Sequence, residues 1–343
     1  MAGAPDPTYD PAGALARLGV ELPNLAAARA RTRDAVAARR EALASLALGD
    51  GAAVVLFGSW GRGELTRRSD DDWAILVAGP DARPDAGPDA GPEAGPDPAA
   101  VAAALGGDAR APGRSGVFGG RILCEDLTSR IGLDADSNAN LTRRMLLMLE
   151  SQPVAGDEVH RRCWERVLDG YLEDADKPFR PPRFFLNDLI RYWRTICVDF
   201  VGKEREGGEK WGIRNAKLRT SRKVLFAAGL VPLLRCHRYT REERRAFLAA
   251  QLAAPATDRL AAAFLDCGAR DAGVRALGAY DRWLAVLDDE QRRAELERLT
   301  KETAHDSPVF RDVRRHATEL ERGLLVLLFD TELLPHVREH GIF

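Results

Sequence analysis

Two acidic side chains just before an apolar run are the residues best suited to chemistry in this sequence. Asp70 and Asp72 stand at alternate positions ahead of residues 73–77, Trp-Ala-Ile-Leu-Val. Because side chains alternate along a strand, these two carboxylates face one way and Asp71 the other. Two carboxylates on one face suit Mg²⁺, which prefers oxygen ligands and completes its octahedron with substrate phosphates. The spacing therefore predicts a magnesium–nucleotide site.

Gly58 and Ser59 form the other half of the predicted site. They follow an apolar run at residues 52–57, which is typical of a buried strand, and have so little bulk that a phosphate can approach the backbone. Residues 58–65 are predicted to form a tight turn that opens a short helix, whose first N–H groups attract anions. Arg62 would add a charge-assisted contact with a phosphate.

These residues together resemble the signature of the polymerase-β-like nucleotidyltransferase superfamily. The shared pattern is an apolar residue, Gly-Ser, a spacer and then Asp-x-Asp on the next strand. Residues 56–59 (Leu-Phe-Gly-Ser), 61–64 (Gly-Arg-Gly-Glu) and 69–72 (Ser-Asp-Asp-Asp) are similar to small bacterial members. Asp71 departs from the pattern, which usually has an apolar residue there. An acid at this position either weakens the packing behind the strand or faces a polar neighbour.

The resemblance also implies a third metal-binding carboxylate on a later strand. Glu125 and Asp126 are the candidates, because they follow the apolar run at residues 122–124. Strand alternation lets only one of them face the metal, and Asp126 also suits the N-cap of a following turn. Glu125 is therefore preferred, with a strand-end acid of no metal-binding role as an equal alternative. Without a third acid, the site would bind nucleotide but turn over poorly.

Composition places the chain among globular proteins with more than one core. It has 343 residues, 45% of them hydrophobic, and a net charge of −2, which does not favour a general nucleic-acid binder. Five scattered cysteines without CxxC spacing predict reduced thiols and no zinc site. No secretory leader or membrane-spanning run is evident, so a cytoplasmic protein is expected.

The expected fold class is α+β, with a mixed-sheet nucleotidyltransferase domain followed by an α-helical domain. A helix is predicted over residues 25–48, with Asn24 as its N-cap and Gly49 at its end. From residue 134 onward the apolar periodicity is helical almost throughout. The predicted parts are an N-terminal helical segment (1–50), the nucleotidyltransferase domain (51–133) with a flexible Pro/Gly/Asp loop (79–98), and the helical substrate or acceptor domain (134–343).

Two of the helices predicted in this last part have clear sequence signals. One begins at residue 141 after a turn rich in capping residues, and its first turn carries Arg143 and Arg144. These arginines either reach a phosphate or pair with Asp134 or Asp136. The other helix is predicted over residues 241–253, where apolar residues recur at helical spacing.

A local excess of positive charge marks the helical part. Residues 203–238 contain ten Lys or Arg and three Glu. Helical spacing places Arg214 and Lys217 on one polar stripe with Lys210 and Ser221. The resemblance implies that a following helical domain helps to hold the triphosphate or the acceptor. Arg214 and Lys217 are the candidates for that role, and a solvated basic face is the simpler alternative.

The predicted function is Mg²⁺-dependent transfer of a nucleoside monophosphate from an NTP, with ATP binding among the expected properties, and release of pyrophosphate. The acceptor is open between a small molecule, a protein and RNA. The alternatives are a catalytically impaired nucleotide-sensing or antitoxin-like binding module, and an RNA-binding partner that uses the basic face. The predicted site residues are Asp70, Asp72 and Glu125 for two Mg²⁺ ions, and Gly58, Ser59, Arg62, Arg214 and Lys217 for the nucleotide.

Overall fold

The structure is a computed structural model that describes residues 11–46, 48–79, 95–106, 117–173, 175 and 177–341. Its fold is α+β, with mostly helices and one small mixed sheet. The chain forms two compact units. Ala28–Asp174 contains the sheet and is called the sheet unit. Met1–Ala27 and Ala175–Phe343 together form the helical unit.

The sheet has four strands, which are β1 Ala52–Phe57, β2 Trp73–Val77, β3 Arg121–Leu123 and β4 Ser151–Ala155. Their order across the sheet is β3-β2-β1-β4. Strand β1 pairs antiparallel with β2 and β4, whereas β2 pairs parallel with β3. These directions bring the end of β1 and the beginnings of the other three strands to one end of the sheet, here called the aspartate end.

The core of the sheet unit forms around its two central strands. Every residue of β1 and β2 is buried, as expected for apolar runs covered on both faces. Val54 and Ile75 belong to a cluster that includes Trp60 from the turn after β1 and Val101 from a helix. The helices of this unit are the later part of α2 (Pro23–Leu43), then α3 (Pro98–Ala104), α4 (Cys124–Thr128), α5 (Asn138–Glu150) and α6 (Asp157–Glu173).

The described residues of the helical unit contain no strand. The helices are α1 (Ala14–Leu18), α7 (Arg183–Arg205), α8 (Trp211–Arg219), α9 (Ser221–Arg235), α10 (Arg241–Ala253), α11 (Ala256–Asp266), α12 (Arg270–Asp288), α13 (Glu290–Arg298), α14 (Pro308–Phe329) and α15 (Leu334–His336). The long helices α12 and α14 pack closely, because Gly323 has no side chain to separate them. A Cβ at Gly323 would lie 2.6 Å from Cβ of Ala276.

The boundaries of the two units differ from the domain boundaries that the sequence predicts. Helices α5 and α6 belong to the sheet unit, although a helical domain was predicted from residue 134. The reason is β4, a polar edge strand at 151–155 that helical periodicity does not predict and that pairs with β1. Most of the predicted loop at 79–98, namely residues 80–94, lies outside the described residues.

Helix α2 differs from its prediction at both ends. It begins at Pro23 and ends at Leu43, five residues before Leu48. Asn24 lies inside the helix and is not its N-cap. Its side-chain amide and the backbone N–H of Leu25 both donate to the carboxylate of Asp281, at 2.7 and 2.8 Å. An acid from α12 therefore satisfies N–H groups that the sequence assigns to a local cap.

Within the part of the chain that the structure describes, no helix is long and apolar enough to cross a membrane.

Candidate functional site

The candidate site begins where β1 ends and β2 begins. The backbone N–H of Phe57 donates to the carbonyl of Asp72 at 2.8 Å, which fixes these two residues opposite each other. Gly58 follows with a φ of +70°, a conformation that favours glycine. A Cβ at Gly58 would lie 3.9 Å from Oδ2 of Asp72. The Gly-Ser pair and Asp72 are therefore neighbours, as the sequence predicts.

Residues 58–64 form a hydrogen-bonded turn and not the predicted short helix. The N–H of Arg62 donates to the carbonyl of Gly58 at 3.1 Å, and the N–H of Glu64 to that of Ser59 at 2.8 Å. Gly63 adopts a positive φ of +68°, which stops regular helix growth. Gly58 and Ser59 remain half-exposed at the mouth of this turn. They are accessible to a phosphate, but no helix supports them.

Arg62 does not point toward a phosphate site, contrary to its predicted role. This residue is 8% exposed, and its guanidinium lies between two buried glutamates, Glu64 and Glu150, which are 2% and 1% exposed. Nε donates to Oε2 of Glu64 at 2.7 Å, and Nη1 donates to Oε2 of Glu150. Both bonds are charge-assisted and unite the turn with the end of α5. Arg62 is thus a clamp inside the turn.

Gly61 allows this clamp to form. A Cβ at this position would lie 2.0 Å from the backbone carbon and oxygen of Glu150 and 2.5 Å from the nitrogen of Ser151. Any side chain would therefore collide with the backbone at the junction of α5 and β4. The second glycine of Gly-Ser-Trp-Gly lets a later segment of the chain close over the turn.

The three consecutive aspartates have different surroundings. Asp70 is exposed and Asp72 half-exposed, whereas Asp71 is buried at 2% exposure. Asp71 accepts a hydrogen bond at 2.7 Å from Arg39 of α2, whose guanidinium lies 5.8 Å from the centre of the Trp60 ring. The acid that departs from the superfamily pattern thus faces a cation behind the strand. Asp70 and Asp72 are left at the surface of the aspartate end.

Glu125 does not join these aspartates, so its prediction as the third carboxylate is corrected. It lies in the first turn of α4, directly after β3, which runs parallel to β2. Its Cβ is 3.7 Å from the position of a Cβ on Gly79, beyond the far end of β2. The length of β2 separates Glu125 from Asp72 by about 20 Å. Glu125 is instead paired with Arg166 of α6 at 3.0 Å.

Asp126 takes neither of its two predicted roles. Helix α4 starts at Cys124, and its N-cap position is Leu123, so Asp126 lies inside the first turn. The side chain is 41% exposed and lies 3.7 Å from Arg130 one turn later. Such an exposed pair contributes little to stability.

Arg214 and Lys217 lie on α8, which belongs to the helical unit, whereas the aspartate end belongs to the sheet unit. Both side chains are half-exposed on one side of the helix. Ser221 does not continue their stripe. It is buried at 5% exposure and accepts a hydrogen bond from the indole of Trp283 at 2.9 Å.

Sequence reasoning missed Glu150 and Arg39, which hold the site from behind. Glu150 is 88 residues from Arg62 in the chain, and Arg39 is 32 residues from Asp71. No local pattern connects such partners. The one available signal was Asp71 itself, since a buried acid requires a cation nearby.

The donor set at the aspartate end fits a hard cation. Asp70 and Asp72 present carboxylate oxygens at the surface, and Gly58 leaves open the space that a side chain would take next to Asp72. Among the described residues, no group of three or more His, Cys, Asp or Glu is arranged to hold a metal ion. Any ion held here would therefore need ligands from a bound phosphate or water in addition to the two carboxylates.

Comparison with known proteins leaves the family open. No protein-family model matches the chain, and neither a curated protein nor a solved structure does.

Proposed function

We propose that this protein is a Mg²⁺-dependent nucleotidyltransferase that moves a nucleoside monophosphate from an NTP to an acceptor. The observation that supports the proposal is the juxtaposition of two surface carboxylates, Asp70 and Asp72, with the glycine turn at Gly58. The order of these residues in the sequence is that of the polymerase-β-like signature. Together they offer oxygen ligands and an uncovered backbone at one place.

Each residue has a defined part in the proposed reaction. Gly58 and Ser59 receive the phosphates of the NTP, because neither residue covers the backbone of the turn. Asp70 and Asp72 hold Mg²⁺, which neutralises charge on the phosphates when bound. The oxygen of an acceptor hydroxyl then bonds to the α-phosphorus and releases its proton to water, while the bond from the α-phosphorus to the bridging oxygen breaks and pyrophosphate leaves. Catalysis rests on positioning and electrostatic stabilisation.

Arg62 serves the proposed site indirectly. Its bonds to Glu64 and Glu150 hold the turn that carries Gly58 against the end of α5. A preorganised turn binds phosphates without first being ordered, which favours both affinity and rate.

The test is transfer of label from α-labelled NTPs, each supplied with Mg²⁺ and a cell extract as the source of acceptor. We expect pyrophosphate release and labelling by the wild type. Asp70→Asn/Asp72→Asn should show neither. Glu125→Gln is the matched control, because it removes a carboxylate charge at the other end of β2. Loss of activity in that control as well would contradict the assignment.

A second candidate function is nucleotide binding without turnover. It is favoured by the position of Glu125, since the third carboxylate expected from the superfamily pattern lies about 20 Å from Asp72. Equilibrium dialysis with Mg²⁺ and each NTP separates the two candidates. Binding that depends on Asp70 and Asp72, without any release of pyrophosphate in the extract, would favour the binding module.

A further inference from the structure

One side of α8 carries a row of positive charge. Arg214 and Lys217 share a face of α8, Lys210 directly precedes the helix as its N-cap residue, and all three are exposed or half-exposed. The opposite side packs inward. A Cβ on Gly212 would lie 2.6 Å from the carbonyl oxygen of Leu296, so the helix approaches its neighbour as closely as backbone allows. The cationic side is thus held outward over about 10 Å.

No acidic residue interrupts this region of the sequence. From Lys210 to Arg241 the chain contains no Asp or Glu, whereas residues 210–223 contain six Lys or Arg. These six, together with Arg194 of α7, are called the basic face. Its members are Arg194, Lys210, Arg214, Lys217, Arg219, Arg222 and Lys223.

Some cations of the helical unit have acidic partners, among them Lys223 of the basic face, which pairs with Glu321 at 2.7 Å. Arg282 pairs with Glu319 at 2.6 Å, and Arg238 pairs with Asp266 at 2.6 Å. Within the described residues, Arg194 and Arg214 form no ion pair. Uncompensated surface charge of this kind attracts polyanions.

An aromatic stack lies beside these cations. The rings of Trp193 on α7 and Phe226 on α9 are stacked, with centroids 5.1 Å apart and an interplanar angle of 22°. Both residues are only half-buried. Cys197 lies one turn after Trp193 on α7. Burial raises the pKa of its thiol, and the positive charges of Arg194 and Lys223 act in the opposite direction, so both cations lie near this thiol. The stack and two cations of the basic face therefore share one neighbourhood.

We propose that the basic face and the Trp193–Phe226 stack bind single-stranded nucleic acid. Phosphates repeat along a strand as the cations repeat along α8, and half-exposed aromatic rings offer a surface for unpaired bases. An acidic protein segment would satisfy the charges but would have no use for the aromatic stack. This surface belongs entirely to the helical unit, so the inference is independent of the proposed transfer reaction.

The first experiment measures binding of a fluorescein-labelled 12-nucleotide single-stranded RNA to the full chain by fluorescence anisotropy, at several salt concentrations. We expect affinity to fall steeply with salt. Arg214→Gln/Lys217→Gln should bind about tenfold more weakly near 0.1 M salt and reduce the slope of log K against log salt by about 1.4, since each lost contact contributes about 0.7. Arg282→Gln/Arg315→Gln is the control, with the same charge change on exposed residues of the same unit.

The second experiment tests the aromatic stack and the specificity for single strands. Trp193→Leu should weaken binding by about tenfold, whereas Trp193→Phe should retain most of it because a ring remains for stacking. Thermal unfolding of both variants checks that each is folded. The duplex form of the same RNA should bind more weakly than the single strand, because its bases are already paired.

Several results would overturn the proposal. These are absence of RNA binding, equal loss in the control variant, or equal competition by poly-glutamate, which would indicate an acidic protein partner. Full displacement of the RNA by Mg²⁺ and a free NTP would assign the face to a nucleotide instead. Asp70→Asn/Asp72→Asn should bind RNA as the wild type does. If it does not, RNA is held at the aspartate end and the basic face is not its site.

Discussion

The two ends of the sheet both carry acidic residues beside a strand, yet they differ in how those acids are used. At the aspartate end, Asp70 is exposed and pairs with no cation in the described residues, next to the uncovered turn at Gly58. At the opposite end, called the cavity end, Glu125 is paired with Arg166, which also lines a small cavity with Cys124 and Cys163. Position beside a strand therefore does not by itself make an acid a metal ligand.

Charge compensation explains the difference. At the aspartate end, two arginines form ion pairs with acids other than Asp70 and Asp72. Arg62 pairs with Glu64 and Glu150, and Arg39 pairs with Asp71. The supporting pairs are buried, and Asp70 lies at the surface without an ion pair among the described residues. At the cavity end the cation meets the surface acid directly. An acid that already has an arginine is a poor ligand for a further cation.

The largest expected effect is a difference in transfer rate between variants at the two ends of the sheet. Asp72→Asn should lower the rate of nucleotidyl transfer by about a thousandfold, because it removes a metal ligand worth several kcal/mol in the transition state. Glu125→Gln should leave the rate within about twofold, since its partner Arg166 is 34% exposed and can be solvated. Steady-state labelling with α-labelled NTP measures both. A large loss in Glu125→Gln would remove the distinction between the ends.

The next effect concerns the buried clamp. Arg62→Met should destabilise the protein by about 3–5 kcal/mol, because it leaves Glu64 and Glu150 buried without their cation. Arg162→Met is the comparison on α6, where the arginine is 48% exposed and pairs with Glu158, so that a change below about 1 kcal/mol is expected. Urea unfolding gives both values. Equal effects would show that the clamp is no stronger than a surface pair.

A single methyl group tests the close approach in the turn. Gly61→Ala should cost about 3 kcal/mol of stability, since its Cβ would overlap the backbone of Glu150. Gly120→Ala is matched, because Gly120 also lies at the aspartate end and a Cβ there would have nothing within 4 Å. That control should change stability by less than about 0.5 kcal/mol. Thermal denaturation of the two variants measures both changes. Equal stability of the two variants would contradict the close contact between Gly61 and Glu150.

Acid should loosen the aspartate end more than the cavity end. Burial lowers the pKa of His160 to about 4, and its ring nitrogen lies 2.9 Å from Oγ of Ser151 at the start of β4. Because the folded pKa is below the usual 6.5, the unfolded chain binds the proton more readily. The contribution of His160 is then complete above about pH 6.5 and declines as the pH falls toward 4.

The expected loss from this residue is about 2 kcal/mol between about pH 7 and pH 5. His160→Gln, which keeps a polar group near Ser151 without a titrating ring, should show that much less decline over the same range. Urea unfolding at the two pH values measures the difference. Hydrogen exchange of β4 amides would locate it, and unchanged pH dependence in the variant would contradict the role of His160.

Features encoded by neighbouring residues could be predicted from the sequence, whereas contacts between residues far apart in the chain could not. The apolar runs predicted β1 and β2, and alternation predicted that Asp71 faces away from Asp70 and Asp72. Helix α10 matches its predicted bounds, Arg241–Ala253, because Thr240 and Glu243 form a capping box that is encoded within four residues.

The misplaced residues share a physical cause. Glu125 was assigned by its nearness to a strand end, but strand direction decides which end of the sheet that is, and β3 runs parallel to β2. Arg62 was assigned by its charge, yet its partner Glu150 is 88 residues later. Arg144, in contrast, has a partner close to it in the sequence. A pair with Asp136, eight residues earlier, was one of its predicted alternatives, and the structure contains that pair.

The contact between Gly61 and Glu150 also bears on how the protein is made. The turn after β1 leaves the ribosome early, but the clamp that holds it needs Glu150, and the sheet is incomplete until β4 is synthesised. Contacts this distant in sequence form late, because the intervening chain must be ordered first. A nascent chain that stops before Glu150 would expose the edge of β1 and lack the clamped turn. We therefore expect the candidate site to form only after Glu150 and β4 have emerged.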